Sequence, residues 1–284
     1  MSFWLKFLLP GYYYFYSRLP RKSEQISWII VFPALVLVGI LLVSDANALH
    51  IIITYIIANF CWLNFYEIGY LENDAITIKL EKDPTLRIPQ KEILFVQKNF
   101  NKLTLIRIIT GAGLLTLIYI LPVSKISFLM FTMALAGARL FFFLHNKIRS
   151  RFNVLTYHLL STTKFFAFPL LLLPNHEQLV SLLIALYLSF PLPRTVEHAV
   201  KIRYKFVSLK KIVGDLDTFR LKYYFALIAF ALVFYFFSDT LLARTVLVIS
   251  LYYFFYRLVG FLMVRYGAYK RSKFKSHDWT EHKL

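Results

Sequence analysis

The sequence predicts an all-α fold: a polytopic transmembrane helical bundle of about eight spans. Three observations predict it. The 284 residues are 58% hydrophobic and 18% aromatic, with a mean hydropathy of +0.59, above the roughly half-apolar usage of water-soluble domains. Apolar runs near the ~20 residues needed to cross a hydrocarbon core recur along the chain. The connections between them alternate between basic segments and short, nearly uncharged ones.

Taken in order, residues 1–26 read as an interfacial segment. An apolar and aromatic body (Phe3 to Leu9, Tyr12 to Tyr16) is followed by Arg18, Arg21 and Lys22 at headgroup level. Pro10, Gly11 and Pro20 argue against one continuous helix there. The segment lacks the small-residue cleavage site of a secretory signal. Spans are expected at 27–43, 49–66, 103–122, 126–145, 153–173, 179–193, 223–237 and 241–264, with a basic tail over 265–284, all in a single membrane domain 1–284. Helices are expected because lipid offers the backbone no hydrogen-bond partner. Cys61 is the sole cysteine, so no intrachain disulfide can form.

The formal charge of +18 is concentrated between the spans. Lysine and arginine follow the second, fourth, sixth and eighth runs, whereas the alternate connections (44–48, 123–125, 174–178, 238–240) carry almost none. Positive charge retains loops in the cytoplasm, so both termini and the polar loops are expected there. The membrane itself is the expected partner of this charge, and nucleic acid is not.

Two polar connections stand out, after spans two and six. If the second span continues as helix, Asn73, Thr77 and Glu81 share one face, with Asp74 close to it. A stripe of oxygen ligands of this kind suits magnesium bound to a diphosphate. Pro84 should stop the helix, letting Arg87 reach back towards a phosphate. The same run also reads as a solvated helix end. After span six, Arg194, Lys201 and Arg203 are candidate phosphate ligands, since Arg matches phosphate oxygens bidentately. Headgroup binding accounts for them equally. Within the spans, Arg107 reads as a snorkelling side chain and His158 as a hydrogen-bonded bundle residue. Lys164 lies too deep to snorkel and should face a cavity or an acidic partner. No HExxH, Walker A or GxGxxG string occurs.

The string Asn-Asp-x-x-Thr-x-x-x-Glu, beginning at Asn73, resembles the first aspartate-rich motif of the UbiA superfamily of intramembrane transferases, Asn-Asp-x-x-Asp-x-x-x-Asp. Tyr70, Leu71, Asn73, Asp74, Glu81, Pro84, Thr85 and Arg87 are similar to the corresponding segment of the polyprenyl-phosphate (decaprenyl-phosphate) phosphoribosyltransferases. Arg194 and Glu197 resemble the Arg-x-x-Glu that follows the sixth span in that branch. Thr77 and Glu81 depart from the pattern by replacing aspartates. The resemblance implies Mg²⁺ held by Asn73, Asp74 and Glu81, with Asp215 and Asp217 as a weaker second pair. It implies catalytic roles for Asn73, Asp74 and Glu81. Substrate contacts would come from Tyr70, Thr77, Lys82, Arg87, Arg139, Lys147, Lys164, Arg194, Glu197, Lys201 and Arg203. The expected reaction moves a 5-phosphoribosyl group from phosphoribosyl pyrophosphate, or engages another diphosphate, with a polyprenyl phosphate as acceptor, for cell-envelope polysaccharide synthesis at a bacterial inner membrane. The alternatives are prenyl transfer from a polyprenyl diphosphate to an aromatic or quinone-precursor acceptor, and a non-enzymatic lipid-linked-sugar transporter or assembly subunit.

Overall fold

The computed structural model describes residues 3–80, 85–148 and 150–269. Within them the chain is helical, with no strand. Two short helices, α1 (Phe3–Leu8) and α2 (Tyr12–Arg18), precede the bundle. They turn at Gly11, whose φ of 88° lies in the left-handed region that glycine tolerates. Eight long helices follow: α3 (Lys22–Val43), α4 (Ala48–Leu71), α5 (Gln90–Ile120), α6 (Lys125–Lys147), α7 (Asn153–Leu172), α8 (His176–Ser189) continued by α9 (Pro191–Ala199), α11 (Leu216–Phe237) and α12 (Leu241–Arg265). A short helix, α10 (Val207–Val213), lies between α9 and α11.

Seven of these stretches are long and apolar enough to cross a membrane. The eighth, α7, is 20 residues long and packs between α6 and α8. Its hydropathy is lowered by His158, Ser161, Thr162, Thr163 and Lys164, and Ser161 and Lys164 face a cavity rather than lipid. The strongest pairings are α6 with α7, α11 with α12, α8 with α12, and α4 with α5. The connections 44–47, 121–124, 173–175 and 238–240 are short, which makes successive helices antiparallel. They are capped by Asn47, Ser124, Asn175 and Thr240, whose side chains accept from backbone N–H groups of the helix that follows.

Three expectations change. The N-terminal segment also packs onto protein on one side: Phe7, Tyr13 and Ser17 are buried, and Phe7 and Tyr13 join Leu71, Ile78, Ile88 and Leu103 in a second core, while Trp4, Leu5 and Leu9 stay exposed. Its polar backbone supplies partners that buried charges require, as described below. Secondly, α5 begins at Gln90 rather than near Leu103, so much of the first basic connection is helix. Thirdly, the second long helix does not continue as an α-helix. Glu72–Ile76 form a π turn and Thr77–Leu80 a 3₁₀ turn. The wider turn changes the register, so Asp74 and Thr77 are buried while Asn73 faces the cavity. The expected shared face of Asn73 and Thr77 is lost. Glu81, Lys82 and Pro84 lie outside the described residues, as does the tail from 270 onward.

Candidate functional site

The ends of α4, α6, α9 and α12 and the starts of α3 and α7 enclose a cavity of about 740 Å³. In an antiparallel bundle these all lie at one end. Both polar connections reach it, the first with Asn73, Thr85 and Arg87, the second with Lys201 and Arg203. Among the described residues seven cationic side chains line it, Arg18, Arg87, Lys164, Arg194, Lys201, Arg203 and Arg257, against one carboxylate, that of Glu24. Aromatic faces fill the rest of the wall, with Trp28, Tyr66, Tyr70, Phe142, Tyr157 and Phe190.

Asp74 anchors one side. Its Oδ1 accepts from Arg18 Nη2 at 2.7 Å and from Asn73 Nδ2 at 3.1 Å, and Arg87 Nη1 lies 3.6 Å away. Its Oδ2 accepts from the Tyr13 hydroxyl at 2.7 Å. Burial and the adjacent Asp74 charge push the Tyr13 hydroxyl well above its ordinary pKa, so it remains a donor. Arg18 also stacks over the Tyr70 ring at 4.3 Å. Asp74 thus holds the guanidinium of Arg18 at the cavity wall.

The opposite wall is ordered by directed hydrogen bonds. Asn153 Nδ2 donates to the carbonyls of His145 and Ile148, which leaves its Oδ1 to accept from the Tyr204 hydroxyl at 2.5 Å. Tyr204 must then accept from His198 Nε2–H at 2.7 Å. His198 Nδ1 is left bare to accept from Lys201 Nζ at 3.1 Å. The His198 ring stacks on Tyr157 at 3.9 Å between centroids. The network fixes both the imidazole tautomer and the position of the Lys201 ammonium. Burial, and next the neighbouring Arg203 and Arg194, lower the Lys201 pKa to about 8.

Arg194 is held from behind. It pairs with Glu197, which also receives a fork from Arg220 at 2.7 Å on each oxygen. Deeper in, Lys164 Nζ sits 4.0 Å from the Phe32 ring centroid and 5.3 Å from that of Trp28. Four buried N–H donors on lining residues have no hydrogen-bond partner: Arg18 Nε, Trp28 Nε1, Arg194 Nε and Arg257 Nε. One lining acceptor, Asn146 Oδ1, is likewise unmatched, while its Nδ2 donates to the Gly69 carbonyl. Buried donors normally find acceptors. The cationic lining suits a ligand rich in anionic oxygens.

Of the sequence-predicted residues, Tyr70, Asn73, Arg87, Lys164, Arg194, Lys201 and Arg203 come together around this cavity. Asp74 and Glu197 stand behind it and position arginines. Four assignments are corrected. Arg139 is not part of the lining and pairs with Glu72 at 2.8 Å. Lys147 is exposed at the end of α6, over the Phe143 ring. Thr77 turns away to the Glu72 carbonyl. Asp215 caps α11 by accepting from the Asp217 and Thr218 N–H groups, and Asp217 pairs with Arg220 at 2.8 Å, away from the cavity lining. Arg107 does not snorkel. It is fully buried and pairs with Glu67 at 2.8 Å. His158 is hydrogen-bonded within the bundle, to Thr195 at 2.8 Å. Sequence reasoning missed Arg257, His145, His198, Tyr157 and Asn146, and placed Arg18 at the headgroups. Intramembrane Arg257 alone carried a signal, as an ionisable residue inside an apolar run.

Glu81, one of the three expected magnesium ligands, lies outside the described residues. No three His, Cys, Asp or Glu side chains come together among them. Both Asp74 oxygens are engaged, one by Tyr13 and the other by Arg18, with Arg87 close by. Compared with protein-family models, with curated proteins and with solved structures, the chain matches none.

Proposed function

We propose that this protein is an intramembrane transferase that binds a phosphorylated sugar donor in the cationic cavity. The reading takes the donor as phosphoribosyl pyrophosphate and the acceptor as a polyprenyl phosphate. The observation that carries it is the lining: among the described residues, seven cations gathered where both polar connections meet. A phosphate oxygen of the acceptor attacks the anomeric carbon, and the bond from that carbon to pyrophosphate breaks. The acceptor is already anionic, so no general base is required. Arginine and lysine side chains neutralise the charge growing on the leaving pyrophosphate.

One observation favours a second reading, prenyl transfer to an aromatic acceptor. The aromatic wall of Trp28, Tyr66, Tyr70 and Tyr157 would stabilise an allylic cation. A transporter is less well supported, because the lining comes from one end of the bundle. Purified protein in detergent, given polyprenyl phosphate and radiolabelled phosphoribosyl pyrophosphate, should place label in the lipid fraction. Unlabelled lipid together with consumption of prenyl diphosphate and an aromatic acceptor would select the second reading. Inertness in both assays would remove the enzymatic one.

A further inference from the structure

Beside the cavity, the chain exposes large apolar side chains in places that no helix pairing explains. Ile202 is 81% exposed, Ile212 82% and Val207 62%, all on the connection between α9 and α11. Phe152, on the neighbouring connection between α6 and α7, is 71% exposed. The two connections touch: the Arg151 guanidinium lies over the Phe206 ring, and Tyr204 donates to Asn153. In the same strip Lys205, Lys210 and Lys211 are exposed. On α10 the buried side is Val213, so the outward arc mixes Val207 and Ile212 with Lys210 and Lys211. An aqueous loop has no reason to hold isoleucine in water next to lysine. A bilayer interface accommodates both, with apolar groups among the upper acyl chains and ammonium groups among headgroup phosphates.

We infer that this apolar-basic strip is a docking surface for anionic lipid headgroups, seated in the interface at the mouth of the cavity. The charge decides the occupant. The acids at the end of the strip, Asp215 and Asp217, are engaged in the α11 cap and the Arg220 pair, so the surface is cationic. Lys201 and Arg203 flank Ile202 and also line the cavity, so strip and cavity share a rim. A lipid phosphate held on the strip therefore lies next to the opening, whatever chemistry the cavity performs.

The test uses the full chain in lipid nanodiscs of phosphatidylcholine with or without phosphatidylglycerol. Ile212→Cys, labelled with an environment-sensitive fluorophore, reports the surroundings; buried Cys61 should not react in the folded protein. The label should be quenched by brominated lipid and shielded from aqueous iodide. Retention of phosphatidylglycerol, read by native mass spectrometry, should fall on the order of a hundred-fold in a Lys205→Gln, Lys210→Gln, Lys211→Gln triple variant, taking about five-fold for each lysine. A label quenched by iodide and not by brominated lipid would overturn the proposal and leave the strip as a face for an acidic protein. Unchanged retention in the triple variant would overturn the part assigned to charge.

Discussion

Arg107 has no solvent exposure, yet it makes four hydrogen bonds: to the Phe7 carbonyl, to the carbonyl and side chain of Asn64, and to Glu67. Glu67 in turn accepts from the Tyr14 N–H. The pair therefore ties α1 and α2 to α4 and α5. Removing one partner leaves an uncompensated buried charge, which costs about 3–5 kcal/mol. Arg107→Ala should accordingly lower the unfolding temperature in detergent steeply; an unchanged melting curve would mean the pair is not formed. Lys201 bears on the proposed function instead. It faces Arg203, Arg194, Arg87, Glu197 and His198 and titrates near pH 8, below its ordinary 10.5. Its charge is present below that pH and disappears above it. Pyrophosphate affinity measured by calorimetry should thus weaken as pH rises through about 8, and Lys201→Met should abolish that step. Binding should persist in excess chelator. A strict requirement for magnesium, lost in Asp74→Asn, would restore the carboxylate to a metal.

At the scale of elements, close approach of α4 and α6 is set by Gly69, where a Cβ would collide with the Phe142 ring. Phe142 lines the cavity and packs edge-on against Tyr66 and Tyr70. Gly69→Ala should cost about 1–3 kcal/mol as overpacking. It should also weaken pyrophosphate binding while Gly113→Ala, which meets open space, leaves both properties unchanged. The long helices were legible in the sequence because an apolar run of membrane length has few other uses. The small N-terminal helices were not. Their aromatic composition suits a lipid interface as well as a protein groove, and the partner that decides the matter, Asp74, is 56 residues from Arg18. Helix periodicity also misplaced Thr77, since nothing in Glu72–Ile76 announces the extra residue of a π turn. His198 was invisible for another reason: its role rests on Asn153, Tyr204 and Lys201, brought together by two connections.

At the scale of the molecule, the cavity and the polar connections share one end of the bundle, and the other end is closed by short turns. The bias of lysine and arginine predicts that the cavity end faces the cytoplasm. Single cysteines at exposed Glu177 and Lys210 sit on opposite ends. In intact cells a membrane-impermeant thiol reagent should modify Glu177→Cys and reach Lys210→Cys only after permeabilisation. The reverse pattern would invert the topology.

The polar stripe of α7 has a consequence for biogenesis. A lysine at mid-helix opposes partition from the translocon into lipid by about 2.5–3.5 kcal/mol, and Lys164 has neighbours Ser161, Thr162 and Thr163 that add little to favour it. On its own α7, which enters from the cytoplasmic side, is a poor start-transfer sequence. It follows α6 after a brief turn and packs closely against it, so the two are suited to leave the translocon together as a hairpin. The side chain that makes the cavity floor cationic thereby also makes α7 dependent on its predecessor for membrane insertion.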